Sequence, residues 1–266
     1  VYEIIDEEIR TVVENNGDVL ISRDPALNAD RQIEEIRALI AEGVRVLFIN
    51  PVDGTRMNDV LRDARAAGVI VIAIDTNIAA GSDVAATVVS DNYNAGRQCA
   101  AHLLAHADGA RIALLKHAEA RSAEQRIEGF RAEIAQHPSF QIVAEADCSG
   151  QLERAMPAME KMLMEHPEID TVMALNDPAA RGAIAALQSA GRMPGDTMVY
   201  GVDGVPESRE LIRTGWMTAT AVQSPRGIGR MAAEEAYRIL SGESAADIDL
   251  PTRLLTRANM DENDDG

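Results

Sequence analysis

The chain has 266 residues, 46% of them hydrophobic, and a formal net charge of −18. That length and apolar fraction describe a globular chain of one large or two ordinary domains, and they exclude a disordered one. The acidic balance argues against a nucleic-acid partner, which needs a basic face to displace counterions, and no apolar run approaches the ~20 residues of a membrane span.

Read in chain order, strand-like and helix-like segments alternate almost without interruption. Strands are expected near residues 18–22, 45–49, 69–74, 86–90, 111–115, 140–145, 171–175, 197–202, 217–222 and 249–255. Most are continuous runs of Val, Ile and Leu rather than alternating ones, the pattern of strands covered on both faces. Helical spacing lies between them: Ile33, Ile36 and Ile40 share a face, then Met57, Val60, Leu61 and Ala64, and later Ile127, Phe130 and Ile134. Gly43, Gly68, Gly191 and Gly242 follow helical runs as C-terminal caps. Asp177-Pro178 and Ser224-Pro225 each read as an N-cap followed by proline at the first helical position, which makes Asp177 a cap residue. Repeated β-α units predict doubly wound parallel sheets. The helical stretch 92–107 ends at "DGAR", where the alternation restarts, so a first lobe ends near residue 90. The tail "DENDDG", residues 261–266, reads as a frayed end.

The apolar strands share a second feature, because several of them run into a polar residue. "VLFIN" ends at Asn50, "VIAID" at Asp75, "TVMALN" at Asn176, "MVYGVD" at Asp203 and "ATAVQ" at Gln223. In open parallel sheets, ligands bind beyond the carboxyl ends of the strands. Two Asp, two Asn and one Gln form a hydrogen-bonding set rather than an acid-base pair, and suit a ligand rich in hydroxyls. Each residue taken singly is as well explained by turn and cap chemistry, and only their number favours a site.

Other features carry less. His102 and His106 stand one helical turn apart, but no third ligand or glutamate accompanies them, so no metal is expected. The methionines of "MPAMEKMLM", residues 156–164, read as core filler on an amphipathic helix. No dinucleotide or triphosphate loop and no nucleophile elbow occurs, so the chain is not expected to be an enzyme or to carry a cofactor.

Seven segments occur in order: "INPVDG", "VIAIDTN", "VVSDNYNAGR", "RSAEQRIEGF", "ALNDPAARGAIAAL", "VYGVDG" and "TAVQSPRGIG". Together they resemble the ribose-type periplasmic sugar-binding proteins that feed ABC transporters. The resemblance implies a periplasmic binding protein type 1 fold, with two α/β lobes joined by three hinge crossings near Asp91, Gln223–Ser224 and Leu250–Pro251. The lobes would then be 1–90 plus 224–250 and 91–223 plus 251–266. It implies a periplasmic receptor with two partners: a small hydroxylated ligand (pentose, hexose or polyol) in the interlobe cleft, and the membrane permease of an importer. The effector-sensing domain of a sugar-responsive transcription repressor shares the fold and is the second reading.

Carried over residue by residue, the resemblance assigns Asp75 as the first-lobe carboxylate and Arg126 as the second-lobe arginine. Asn176, Asp203 and Gln223 become the remaining polar ligands. Two positions depart from ribose binders. Thr76 stands where they carry an arginine, and Cys148 where an aromatic faces the sugar, so ribose itself is disfavoured. The family opens with a strand and an Asn-Pro-aromatic-aromatic turn. This sequence begins at those aromatics, as Val1-Tyr2, which makes Tyr2 a candidate stacking ring and implies a first strand upstream.

Overall fold

The computed structural model describes residues 2–78 and 83–261. Val1 and the tail residues 262–266 lie outside the described residues. The described residues form two compact units, the first lying within 2–90 and 224–250 and the second within 91–223 and 251–261, and the chain passes between them at three points, after Ser90, Gln223 and Leu250.

The first unit opens with helices α1 (Tyr2–Asn15) and α2 (Ala29–Ala41), then β1 (Val46–Ile49), α3 (Asn58–Ala66), β2 (Ile70–Ile74) and β3 (Ala86–Ser90). The second unit contributes α4 (Asn92–His106), β4 (Ala110–Lys116), α5 (Arg121–Ile134), β5 (Phe140–Asp147), α6 (Leu152–Glu165) and β6 (Thr171–Ala174). It continues through α7 (Asp177–Ser189), β7 (Met198–Asp203), α8 (Pro206–Thr214) and β8 (Ala219–Val222). The chain then returns to the first unit for α9 (Pro225–Leu240) and β9 (Ile248–Leu250), and ends in the second with β10 (Arg253–Thr256).

The first unit's sheet has the order β1-β2-β3-β9, parallel throughout. Its central strand shows why an unbroken apolar run is needed. Val71 and Ala73 point into a core shared with α2 and α3, while Ile72 and Ile74 enter a second core shared with α1 and α9. With period 2, a strand covered by helices on both faces has no polar position to spare. Each fully buried Ile or Val contributes roughly 1.5–3 kcal/mol. The second unit repeats the plan in the order β10-β8-β7-β6-β4-β5, where β10 runs antiparallel to β8 and all other pairs are parallel. Ala113 and Leu115 of β4 face the core of α6 and α7, whereas Ile112 and Leu114 face that of α4 and α5. Of the expected helical faces, Met57, Val60, Leu61 and Ala64 and Ile127, Phe130 and Ile134 are buried, while Ile36 is buried with Ile33 and Ile40 partly so. Met159 and Met162 of the methionine run are buried and Met164 is exposed.

Two strand expectations need correction. Residues 18–22 form no strand and pair with none among the described residues, and Val19 is 85% exposed there. An apolar run becomes a strand only where a neighbouring backbone takes up its N–H and C=O groups. Residues 249–255 are two strands in two units, not one, because Pro251 has no N–H to continue a ladder and the third crossing falls there. No helix among the described residues is long and apolar enough to cross a membrane.

Candidate functional site

In the second unit the chain runs from β4 outward to β5 on one side and to β6, β7 and β8 on the other. The strand order therefore reverses between β4 and β6, the switch point where parallel sheets open a crevice beyond the strand ends. Three of the expected residues stand at that edge. Asn176 follows β6, Asp203 ends β7 and Gln223 follows β8.

Asp203 and Gln223 are brought into contact, with Gln223 Nε2 donating to Asp203 Oδ1 at 2.6 Å. Arg126 joins them from α5, its Nη1 standing 3.8 Å from the same carboxylate oxygen. The arginine is only 7% exposed, and a guanidinium so enclosed needs acceptors. Its Nε donates to Asn92 Oδ1 at 2.9 Å and its Nη1 to the Leu175 carbonyl at 2.7 Å. Asn92 opens α4, just after Asp91, whose side chain caps that helix by accepting the Asn94 N–H. Sequence reasoning missed Asn92 although its segment "VVSDNYNAGR" was singled out. The signal was the same strand-to-polar transition, here running through Ser90 and Asp91.

The position of Arg126 depends on two glycines. A Cβ added to Gly96 of α4 would stand 1.8 Å from the Arg126 carbonyl oxygen, and one added to Gly129 of α5 would stand 2.0 Å from that of Tyr93. The two helices thus touch backbone to backbone, and this close approach sets where the guanidinium begins.

Asp203 has φ 137° and Asp75 has φ 64°. Positive φ in a residue with a side chain costs roughly 1–3 kcal/mol and concentrates at functional sites. Two of the five such non-glycine residues described are expected ligands. In the first unit, Asp75 follows β2 and donates its N–H to the Val88 carbonyl, while the Thr76 N–H reaches back to the Ile74 carbonyl at 2.7 Å. This tight turn takes both side chains off the strand axis at its carboxyl end.

The remaining positions read differently in the structure. Asn176 is the N-cap of α7: its Oδ1 accepts the Ala179 N–H at 2.9 Å and its Nδ2 donates to the Gly150 carbonyl at 3.1 Å. Asp177 is therefore not the cap. It lies one residue inside the helix, fully buried, with its carboxylate turned toward β7 and β8. Cys148 is a core residue, 0% exposed among Ala123, Leu175 and Ala179, with its thiol 3.7 Å from the Lys116 carbonyl. At the position where the resemblance puts an aromatic facing the sugar, this chain thus encloses a small thiol in the core. Tyr2 opens α1 and is 60% exposed. Both cysteines are free, and burial pushes the Cys99 thiol up to about 12, which leaves it unreactive.

His102 and His106 stack with ring centroids 3.9 Å apart, and His102 Nδ1 lies 2.8 Å from the Tyr200 hydroxyl. Burial, then the neighbouring His106, lowers the His102 pKa below 6.5. The unfolded chain therefore takes up this proton before the folded one does. The stabilising contribution is complete above pH 6.5 and is lost as pH falls from there through the lower folded value. The melting temperature should decline across that window, and His102→Gln should flatten the decline in melts recorded at successive pH values.

The chain has clear relatives. A family model described as a periplasmic binding protein domain matches residues 2–244. The ribose import binding protein of Bacillus subtilis (strain 168) is 32% identical over 252 residues, which cover 94% of this chain and 81% of that protein. Among solved structures, an ABC transporter solute binding protein from Mycobacterium smegmatis with bound glycerol matches with a TM-score of 0.84 and 31% identity. That match covers 97% of this chain and 90% of the other. The Caulobacter myo-inositol binding protein bound to myo-inositol matches with a TM-score of 0.87 and 28% identity, over 99% of this chain and 91% of the other.

Proposed function

We propose that this chain, which belongs to the periplasmic binding protein family, is the solute receptor of an ABC importer and takes a small polyhydroxylated solute of the sugar and polyol class. The family binds solutes without transforming them, and its place of work is the periplasm or the equivalent space outside the membrane. A leader peptide that directs the chain there is part of the proposal.

The observation that carries the solute class is the Asn92–Arg126–Asp203–Gln223 network at the strand ends of the second unit. It sets a guanidinium, a carboxylate and two amides side by side. A sugar hydroxyl is at once donor and acceptor, and such a mixed set can answer both halves of several hydroxyls. Asn176 adds its remaining amide capacity, and in the first unit Asp75 and Thr76 offer a carboxylate and a hydroxyl of the same chemistry. Tyr2 stacks on that solute if it is a ring. The named ligands of the relatives, ribose, glycerol and myo-inositol, span this chemical class. Thr76 lacks the charge that ribose binders place next to the first aspartate, which favours a polyol or another sugar over ribose. The relatives named above are import and solute binding proteins, which favours the receptor reading over the repressor domain.

A thermal-shift screen against D-ribose, D-allose, L-arabinose, myo-inositol and glycerol tests the reading. At least one compound should raise the melting temperature, since a ligand at ~100 times its Kd adds about 2.7 kcal/mol to stability. If none of these compounds moves the melt, a polyhydroxylated solute is the wrong class.

A further inference from the structure

Asp177 is the most enclosed charged side chain described in the second unit, with 0% exposure against 7% for Arg126. All of its recorded partners are donors. Oδ2 accepts the Gly204 N–H at 2.9 Å and the Val205 N–H at 3.0 Å, and Oδ1 accepts the Thr220 hydroxyl at 2.7 Å. Gly204 and Val205 are the residues immediately after Asp203, and Thr220 lies on β8, three residues before Gln223. The carboxylate therefore grips both strands that carry the paired site residues. It can come this close only because residue 201 is glycine: a Cβ there would stand 2.5 Å from Asp177 Oδ1.

The gripped turn is also a strained one. Asp203 has φ 137° and Gly204 φ 80°, and the two successive amides that follow, those of Gly204 and Val205, converge on one carboxylate oxygen. A strained backbone persists only where its surroundings over-determine it. Asp177 supplies that constraint from inside the protein.

We propose that Asp177 is a positioning residue for the solute site, fixing the turn after Asp203 so that the Asp203 carboxylate is presented to Gln223 and Arg126. The inference rests on the solute reading above, and a solute-independent measurement separates the two. An asparagine at this position can keep its oxygen on the two amides only by reversing the Thr220 hydroxyl to accept from its amino group, and either way the ionised acceptor that holds the turn becomes a neutral one with weaker hydrogen bonds.

Asp177→Asn should therefore weaken binding of D-ribose, myo-inositol or glycerol, whichever binds the parent protein, by about tenfold or more by calorimetry. In the solute-free protein, the Gly204 and Val205 amides should exchange with deuterium at least about tenfold faster. Glu235→Gln is the control for plain destabilisation. Glu235 is a buried carboxylate of the first unit that accepts the Ala246 N–H at 2.8 Å and pairs with Arg238 at 2.9 Å. Its loss should lower the melting temperature and leave affinity unchanged. Should Asp177→Asn not fold, Thr220→Val removes only the Oδ1 donor, and a roughly threefold loss of affinity is expected. The inference is overturned if the Asp177 variant melts lower, as the control does, while solute affinity and Gly204–Val205 exchange stay at parent values. If no probe binds the parent protein, the solute reading fails and exchange alone decides: unchanged protection at the two amides overturns the role, and its loss upholds it.

Discussion

Asp203→Ala is expected to abolish solute binding at concentrations that saturate the parent protein, while the second unit stays folded. The carboxylate is the shared partner of Gln223 at 2.6 Å and Arg126 at 3.8 Å, so its removal takes away the network's negative charge and a partner of both neighbours. Hydrogen bonds to charged groups are worth about 1.5–3 kcal/mol net each, and two made to a solute would amount to roughly 10²- to 10⁴-fold in affinity. The fold should survive because Arg126 keeps the Asn92 side chain and the Leu175 carbonyl as acceptors. Arg126→Ala is a different experiment. It also loses binding, but it removes two buried hydrogen bonds as well, those from the guanidinium to Asn92 and to the Leu175 carbonyl, at roughly 1–3 kcal/mol each. Titration calorimetry with thermal melts separates the two: Asp203→Ala should change affinity far more than stability, and Arg126→Ala should change both. An unaltered affinity in Asp203→Ala would refute the site.

The sheets were legible in the sequence because helices cover both faces of each sheet, so strands such as 70–74 had to be written as unbroken apolar runs. The same signal misled at residues 18–22, since apolarity reports a tendency to be buried and says nothing about whether a partner strand is present. It also merged β9 and β10, because a change of unit within a run leaves only a proline as its mark. Asp203 and Gln223 were found by a positional rule, polar residues where apolar strands end, and the structure pairs them. Arg126 could not be found that way. It reaches the strand ends from a helix, and helical periodicity alone makes it an exposed cation. Asp177 shows how fine the margin is. Asp-Pro matches a cap signature, yet the cap is Asn176, and the offset of one residue turns the next side chain about 100° around the helix into the interior. At Cys148 a matched position in a relative says where the backbone runs, and the burial of the small thiol there was not legible from the match.

Gly96→Ala should be among the most damaging single-methyl changes in the second unit, with a sign opposite to the usual one. In an ordinary helix interior, glycine to alanine stabilises by roughly 0.5–1 kcal/mol. Here the new Cβ would meet the Arg126 carbonyl oxygen at 1.8 Å, its carbon at 2.8 Å and the Phe130 nitrogen at 2.9 Å. All three are backbone atoms, so no side-chain tip can swing aside, and α4 and α5 must separate by more than about 1 Å to restore ordinary contact. Overpacking of this kind costs typically 1–3 kcal/mol and more where the backbone must move. The separation also acts on the site, because Asn92 rides on α4 and Arg126 on α5, and their 2.9 Å hydrogen bond cannot stretch by that amount and hold. Denaturant midpoints should therefore fall together with solute affinity. Gly129→Ala, whose Cβ would meet the Tyr93 carbonyl oxygen at 2.0 Å, presses on the same helix pair from the other side. Once one methyl has forced the helices apart, the second finds much of its space already made, so the double variant should lose less than the sum of the single losses. Full additivity would mean that the two contacts relax independently, and a stabilised Gly96→Ala would mean that the helices do not meet backbone to backbone.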